Sequence, residues 1–162
     1  MKKRLNQLAG LSLYEWSLLI SSAILLPCTG ISLQVFGYKR TKNILGSFIP
    51  QNSQLARAVK PDIKKARIIA HMVKITACYG FYRANCLKQS LVLWWLLASA
   101  GIPSGIKIGI QNQPGDSFGA HAWVECAGIN LTDTESLQQQ YTVFPNPEFS
   151  ESGITGNISS KA

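Results

Sequence analysis

The sequence predicts an α+β domain in which helices pack against a small antiparallel sheet. Apolar segments at helical spacing come first, segments of alternating apolar and polar residues come after them, and 162 residues suit a single domain. Hydrophobic residues make up 46% of the chain and charged residues 15%. These fractions exclude a disordered polar chain and a coiled coil, so the chain can bury a core.

The N-terminal region is the first element. Residues 16–38 carry no charge, but the continuous apolar run at 18–26 is too short to cross ~30 Å of hydrocarbon, and Pro27 interrupts its continuation. Glu15 lies where a secretory signal should be free of charge, and the apolar run leads to no small-residue cleavage site. For residues 1–50 we therefore expect a hydrophobic helical region packed on the domain. Membrane association through residues 16–38 and export remain open alternatives.

Charge divides the chain into two parts. Residues 1–107 hold 15 of the 16 basic residues and two acidic ones, a net charge of +13, whereas residues 108–162 carry −5. A basic part of this kind can attract nucleic acid, anionic lipid or an acidic peptide. No zinc-finger, ribonucleoprotein or basic-zipper pattern is present, so we expect no nucleic-acid partner.

Cysteine and histidine usage indicates the compartment. The four cysteines form no C-x-x-C pair and are too sparse for a disulfide scaffold, and the two histidines offer no regular zinc spacing. We expect reduced thiols, a cytoplasmic location and no metal or other cofactor.

Residues 61–79 have apolar positions at helical spacing, and Pro61 suits the first turn of a helix. The other face holds the densest group of basic residues, including Lys64 and Lys65, for which a solvated surface is the simpler interpretation. We expect His71 to lie on or near the apolar side with a structural role.

The segment from Cys86 to Ala100 predicts a buried central helix. Asn85 is a good N-cap, and Gly101 with Pro103 ends the helix. Cys86 then lies in the first turn, where free N–H groups and the helix dipole stabilise a thiolate. A small buried hydrophobic residue is the alternative role for this cysteine.

Two alternating stretches, 105–111 and 119–125, flank a Pro-Gly turn and predict a hairpin, and a third stretch covers 129–133. A three-residue loop with Gly128 at its left-handed position would pair His121 with Asp133 on one face. A two-residue loop would place these residues on opposite faces. We predict the three-residue loop.

Cys86, His121 and Asp133 then form the nucleophile, base and orienting carboxylate of cysteine acyl transfer. Glu135 lies two residues further along, on the same face of the strand, and is an alternative orienting residue. The order Cys, His, Asp is typical of papain-like and transglutaminase-like folds. Trp123, beside His121, is expected to be a packing residue.

Several segments together resemble a known family. These are Cys86 through Gly101-Ile102-Pro103, the strand at 106–110, and His121-Ala122-Trp123-Val124-Glu125 with Gly128 and Asp133 after it. They resemble the stand-alone transglutaminase-like B proteins of lasso-peptide biosynthesis, over most of residues 55–145. The resemblance implies a cysteine endopeptidase that removes the leader from a ribosomally made precursor, with Cys86, His121 and Asp133 as its triad. It also implies a separate small leader-recognition protein and a macrolactam-forming cyclase as partners.

The predicted organisation is a helical region at 1–50, a catalytic domain at 51–145 and a disordered tail at 146–162, where apolar residues are few. Two other functions remain open. The same triad can serve an acyl transferase, because only the acceptor differs. A noncatalytic scaffold that binds peptide in a maturation complex is the other alternative.

Overall fold

A computed structural model describes residues 11–50, 61–111, 120–132 and 141–143. Three helices precede four short strands: α1 (Leu13–Ser47), α2 (Ile63–Tyr79), α3 (Cys86–Ser99), β1 (Gly105–Gln111), β2 (Ala120–Cys126), β3 (Ile129–Asn130) and β4 (Tyr141–Val143). The strands form one antiparallel sheet in the order β3-β2-β1-β4, and the helices pack on one another. The predicted α+β fold is confirmed.

Helix α1 begins at a capping box. The Ser12 hydroxyl accepts a hydrogen bond from the Glu15 backbone N–H at 3.3 Å, and the Glu15 carboxylate accepts from the Ser12 N–H at 2.7 Å. These bonds from Ser12 lower the pKa of Glu15. Gly37, with φ of 73°, divides α1 into two helical segments. The first segment places Leu18 and Leu26 in the shared core.

Helix α2 begins at Ile63 because Asp62 is its N-cap, with the carboxylate accepting from the Lys65 N–H at 3.0 Å. Pro61 therefore precedes the cap, so its predicted place in the first turn is wrong. The prediction for His71 is wrong as well, since this residue is exposed. Its position is four residues after Arg67, which puts it on the basic face of the helix.

Helix α3 is the central helix of the core, and both of its predicted ends are confirmed. The Asn85 side chain accepts from the Lys88 N–H at 3.1 Å. At the other end Gly101 adopts φ of 75°, and the Ile102 N–H donates to the Leu97 carbonyl at 2.8 Å. This Schellman motif satisfies the last carbonyl groups of the helix. The side chains that fill the core from α3 include Leu91, Leu93 and Leu97.

The β2–β3 hairpin has a two-residue loop. Cys126 pairs with Ile129, while Ala127 and Gly128 have φ of 50° and 76°, the left-handed pair of a type I′ turn. The predicted three-residue loop is therefore wrong. A type I′ turn matches the right-handed twist of the two strands, and Ala127 accepts a left-handed conformation to make it.

Strand β4 pairs with the outer edge of β1, with Val143 opposite Gly109, and the sequence analysis did not predict it. Three residues are too few to produce a recognisable alternation. Asp133, Glu135 and the predicted tail at 146–162 lie outside the described residues.

Candidate active site

Cys86 is the first residue of α3 and is partly exposed. The other three cysteines lie elsewhere: Cys28 within α1, Cys78 near the end of α2, and Cys126 fully buried at the end of β2. Only Cys86 therefore combines a helix N-terminus with access to solvent. This combination is typical of a nucleophilic cysteine rather than of a structural one.

The segment before Cys86 is tied to the first turn of α3. The Lys88 ammonium donates to the Tyr82 hydroxyl at 2.8 Å and lies 5.1 Å from the centre of the Tyr82 ring. The Gln89 amide donates to the Ala84 carbonyl at 2.8 Å. These bonds hold residues 82–84 against the first turn of the helix that begins with Cys86.

His121 is the second residue of β2, is partly buried, and lies opposite Gly109 of β1. Its ring stacks on Trp123, with ring centroids 6.2 Å apart and planes 20° apart. Trp123 is 1% exposed, and its indole N–H donates to the Glu125 carboxylate at 2.8 Å. The packing role predicted for Trp123 is observed.

Alternation along β2 separates two faces of the sheet. Val124 and Cys126 belong to the core that also contains the leucines of α3. His121, Trp123 and Glu125 lie at the intervening positions and share the other face. Helix α3 packs against β2 through the face of Val124 and Cys126, so the helix that begins with Cys86 and the strand that carries His121 are neighbours.

The two-residue hairpin loop shifts the pairing of β2 with β3 by one residue from the predicted register. In this register His121 and Asp133 are no longer opposite each other, so the hairpin gives no reason to pair them. The ladder itself ends soon after the turn. Thr132 turns back, its N–H donating to the Asn130 side chain at 2.9 Å while its hydroxyl accepts from the Val124 N–H at 3.3 Å. Asp133 therefore stays a prediction that rests on the family resemblance, and Glu135 stays its alternative.

Asn130 and Thr132 were missed by the sequence analysis. Together they close an Asx-type turn directly before Asp133 and attach it to β2. The sequence did contain a pattern that favours such turns, because Asn130 stands two residues before Thr132 at the end of a short strand.

Metal ligation finds no support within the part of the chain that the structure describes. There, no three His, Cys, Asp or Glu side chains form a group that could hold a metal ion.

Comparison with known proteins identifies the family. A family model described as the transglutaminase-like superfamily matches residues 39–146. The chain belongs to this superfamily. The match covers both Cys86 and His121 and begins within the second segment of α1. Members of the superfamily include cysteine peptidases and acyltransferases.

One curated relative is the microcin J25-processing protein McjB of Escherichia coli. It is 27% identical over 85 residues, which represent 52% of this chain and 36% of the relative. The matched part thus spans about a third of the relative's length. This similarity agrees with the family resemblance found in the sequence. No solved structure matches the chain.

Proposed function

We propose that this protein is a cysteine endopeptidase that removes the leader from a lasso-peptide precursor. The observation that carries the proposal is the position of Cys86 at the start of α3, a helix packed on the strand that contains His121. Membership of the transglutaminase-like superfamily supports acyl chemistry at this cysteine. Similarity to a microcin-processing protein supports a role in lasso-peptide processing.

In the proposed reaction His121 takes the proton of the Cys86 thiol, and the sulfur attacks the scissile carbonyl carbon. The tetrahedral intermediate collapses when the C–N bond breaks and His121 protonates the leaving amine. Water, deprotonated by His121, then attacks the thioester and releases the leader acid and the free thiol. N–H groups at the start of α3, including that of Cys86, are suited to stabilise the oxyanion.

The third member of the proposed triad is Asp133, with Glu135 as the alternative. Either carboxylate would hold the imidazole tautomer and stabilise the imidazolium that forms during attack. No cofactor or metal is needed for any of these steps. The substrate acyl group and water supply all the atoms of the products.

The proposed partners are the precursor peptide, a separate small leader-recognition protein and the macrolactam-forming cyclase. The basic face of α2, with exposed Lys64, Arg67 and Lys74, provides a surface on which acidic groups of a peptide or protein partner could dock. We propose a cytoplasmic site of action, where precursors are made.

Acyl transfer to an amine is the second candidate function, because the superfamily contains acyltransferases as well as peptidases. Both reactions share the thioester at Cys86 and differ only in the acceptor. A noncatalytic scaffold would need neither Cys86 nor His121 for its action.

One experiment separates these functions. The full chain is incubated with a synthetic leader-core peptide and the recognition protein, with and without a primary amine, and products are identified by mass spectrometry. A peptidase releases the leader as a free acid, whereas an acyltransferase yields the amine adduct. Cys86→Ala should lose more than about 10³-fold in rate. Cys78→Ala, which changes an exposed cysteine on α2, is the matched control and should keep full activity. Cleavage by Cys86→Ala at the wild-type rate would leave only the scaffold function.

A further inference from the structure

Helix α1 presents a continuous apolar stripe to solvent. We call this the outer stripe; its members are Leu13, Trp16, Ile20, Ile24, Ile31 and Val35, all exposed. At the angular spacing of a helix they fall within a sector about 100° wide. Leu13 is 91% exposed and Val35 is 65% exposed. Single exposed apolar residues are ordinary, but a contiguous row of this size marks an interaction surface.

The opposite face of α1 holds the helix on the domain. Leu18, Ser22, Leu26 and Thr29 are buried there, and α1 packs on both α2 and α3. The buried face therefore contains two hydroxyl residues, while isoleucines occupy the outer stripe. This is the reverse of the usual pattern for a surface helix of a soluble protein, in which the outward face is polar.

The length and composition of α1 would allow it to cross a membrane. Only 28% of its most apolar stretch is buried in the protein. A helix from the middle of a soluble core would be mostly buried. Crossing, however, would bring α2 with Lys64, Arg67 and Lys74 into hydrocarbon, because α2 packs on α1. Lying along the surface buries the outer stripe and keeps these charges in water.

Basic groups are found at both ends of the outer stripe. Near its start, the Lys65 ammonium lies 5.7 Å from the centre of the Tyr14 ring. Directly after its end, Lys39 and Arg40 are exposed. Glu15 is the single acidic residue in α1 and is engaged by Ser12. This arrangement of charge complements an anionic headgroup layer.

An aromatic residue supports the same interpretation. Trp16, a member of the outer stripe near its start, is exposed. Aromatic side chains concentrate at the boundary between headgroups and acyl chains. We propose that the first segment of α1, which ends at Gly37, lies flat on an anionic lipid bilayer, with the outer stripe inserted at this boundary and the domain on the aqueous side.

Vesicle flotation with the full chain tests the proposal, because protein aggregates do not float. The wild type should float with vesicles of phosphatidylcholine and phosphatidylglycerol, and much less with phosphatidylcholine alone. The double variant Ile24→Ser/Ile31→Ser should bind the mixed vesicles at least about tenfold more weakly, since it loses two inserted side chains. Ile68→Ser, which removes an exposed isoleucine from α2, is the matched control and should bind like the wild type. Circular dichroism checks that each variant is folded.

Three outcomes would overturn the proposal. If the wild-type protein does not float with anionic vesicles, the outer stripe does not bind a membrane. A dimer that is lost in Ile24→Ser/Ile31→Ser, seen by sizing chromatography without vesicle binding, would assign the outer stripe to a second copy. Resistance to extraction by alkaline carbonate would indicate a spanning helix. Leader cleavage in solution is a separate measurement, so failure here leaves the proposed peptidase untouched.

Discussion

Gly30 of α1 packs against the Tyr82 hydroxyl so closely that a methyl group at position 30 would overlap it. The same hydroxyl accepts a hydrogen bond from Lys88, which lies in the first turn of α3, two residues after Cys86. The N-terminal helix thereby supports the segment that carries the candidate nucleophile. Its role in the domain extends beyond covering the core.

Gly30→Ala should displace Tyr82 and weaken its bond to Lys88. Overpacking costs about 1–3 kcal/mol and the replacement of a helical glycine by alanine returns about 1 kcal/mol, so the free energy of unfolding in urea should fall by up to about 2 kcal/mol. Gly46→Ala, in the same helix, is the matched control, because its methyl group would meet only Trp94 at an ordinary 3.8 Å. That variant should be neutral or slightly more stable. Equal unfolding midpoints for the two variants would contradict the contact.

Cys86 should react with iodoacetamide near neutral pH faster than Cys28 or Cys78, although both of those are more exposed. If solvent exposure alone set the rate, Cys28 and Cys78 would react faster than Cys86. Faster labelling of Cys86 therefore indicates a thiolate. Peptide mapping by mass spectrometry gives the three rates. His121→Ala should slow the labelling of Cys86 if the imidazole takes its proton. An unchanged rate in that variant would argue against the pair.

The identity of the orienting carboxylate is decided by two matched substitutions. Asp133→Asn should lower leader cleavage by a factor on the order of 10² to 10⁴, because the amide favours the wrong imidazole tautomer. Glu135→Gln should cleave like the wild type. Rates measured by mass spectrometry with the recognition protein present give both values. If Glu135→Gln cleaved much more slowly than the wild type while Asp133→Asn kept the wild-type rate, Glu135 would be the orienting carboxylate.

Trp123→Phe keeps an aromatic ring beside His121 but removes the donor to Glu125. Loss of a hydrogen bond to a charged group should cost about 1.5–3 kcal/mol of stability, while cleavage by the folded variant changes little. Trp123→Leu removes the ring as well and should also lower kcat. Glu125→Gln retains an acceptor and serves as the control. Equal kcat values for Trp123→Phe and Trp123→Leu would show that the ring does not orient His121.

Features that depend on neighbouring residues could be predicted from the sequence. The bounds of α3 are set by an asparagine cap and a left-handed glycine, and each acts on backbone groups within a few positions. The alternation in β1 and β2 likewise records which face each residue takes. Cys86 and His121 could be predicted as candidates because neighbouring residues are enough to place Cys86 at the start of a helix and His121 in a strand.

Features that depend on distant partners were decided by the tertiary structure. The loop of the β2–β3 hairpin has two residues, and Ala127 in this loop has a left-handed backbone conformation. The twist of such a turn matches the twist of the two strands, and this match favours their pairing although the conformation is unfavourable for alanine. Strand β4 forms because β1 offers an open edge. The contact between Gly30 and Tyr82, and the direction of the outer stripe, depend on how α1 packs on the other helices. Packing sums many weak contacts between residues far apart in the chain, and no local pattern encodes that sum.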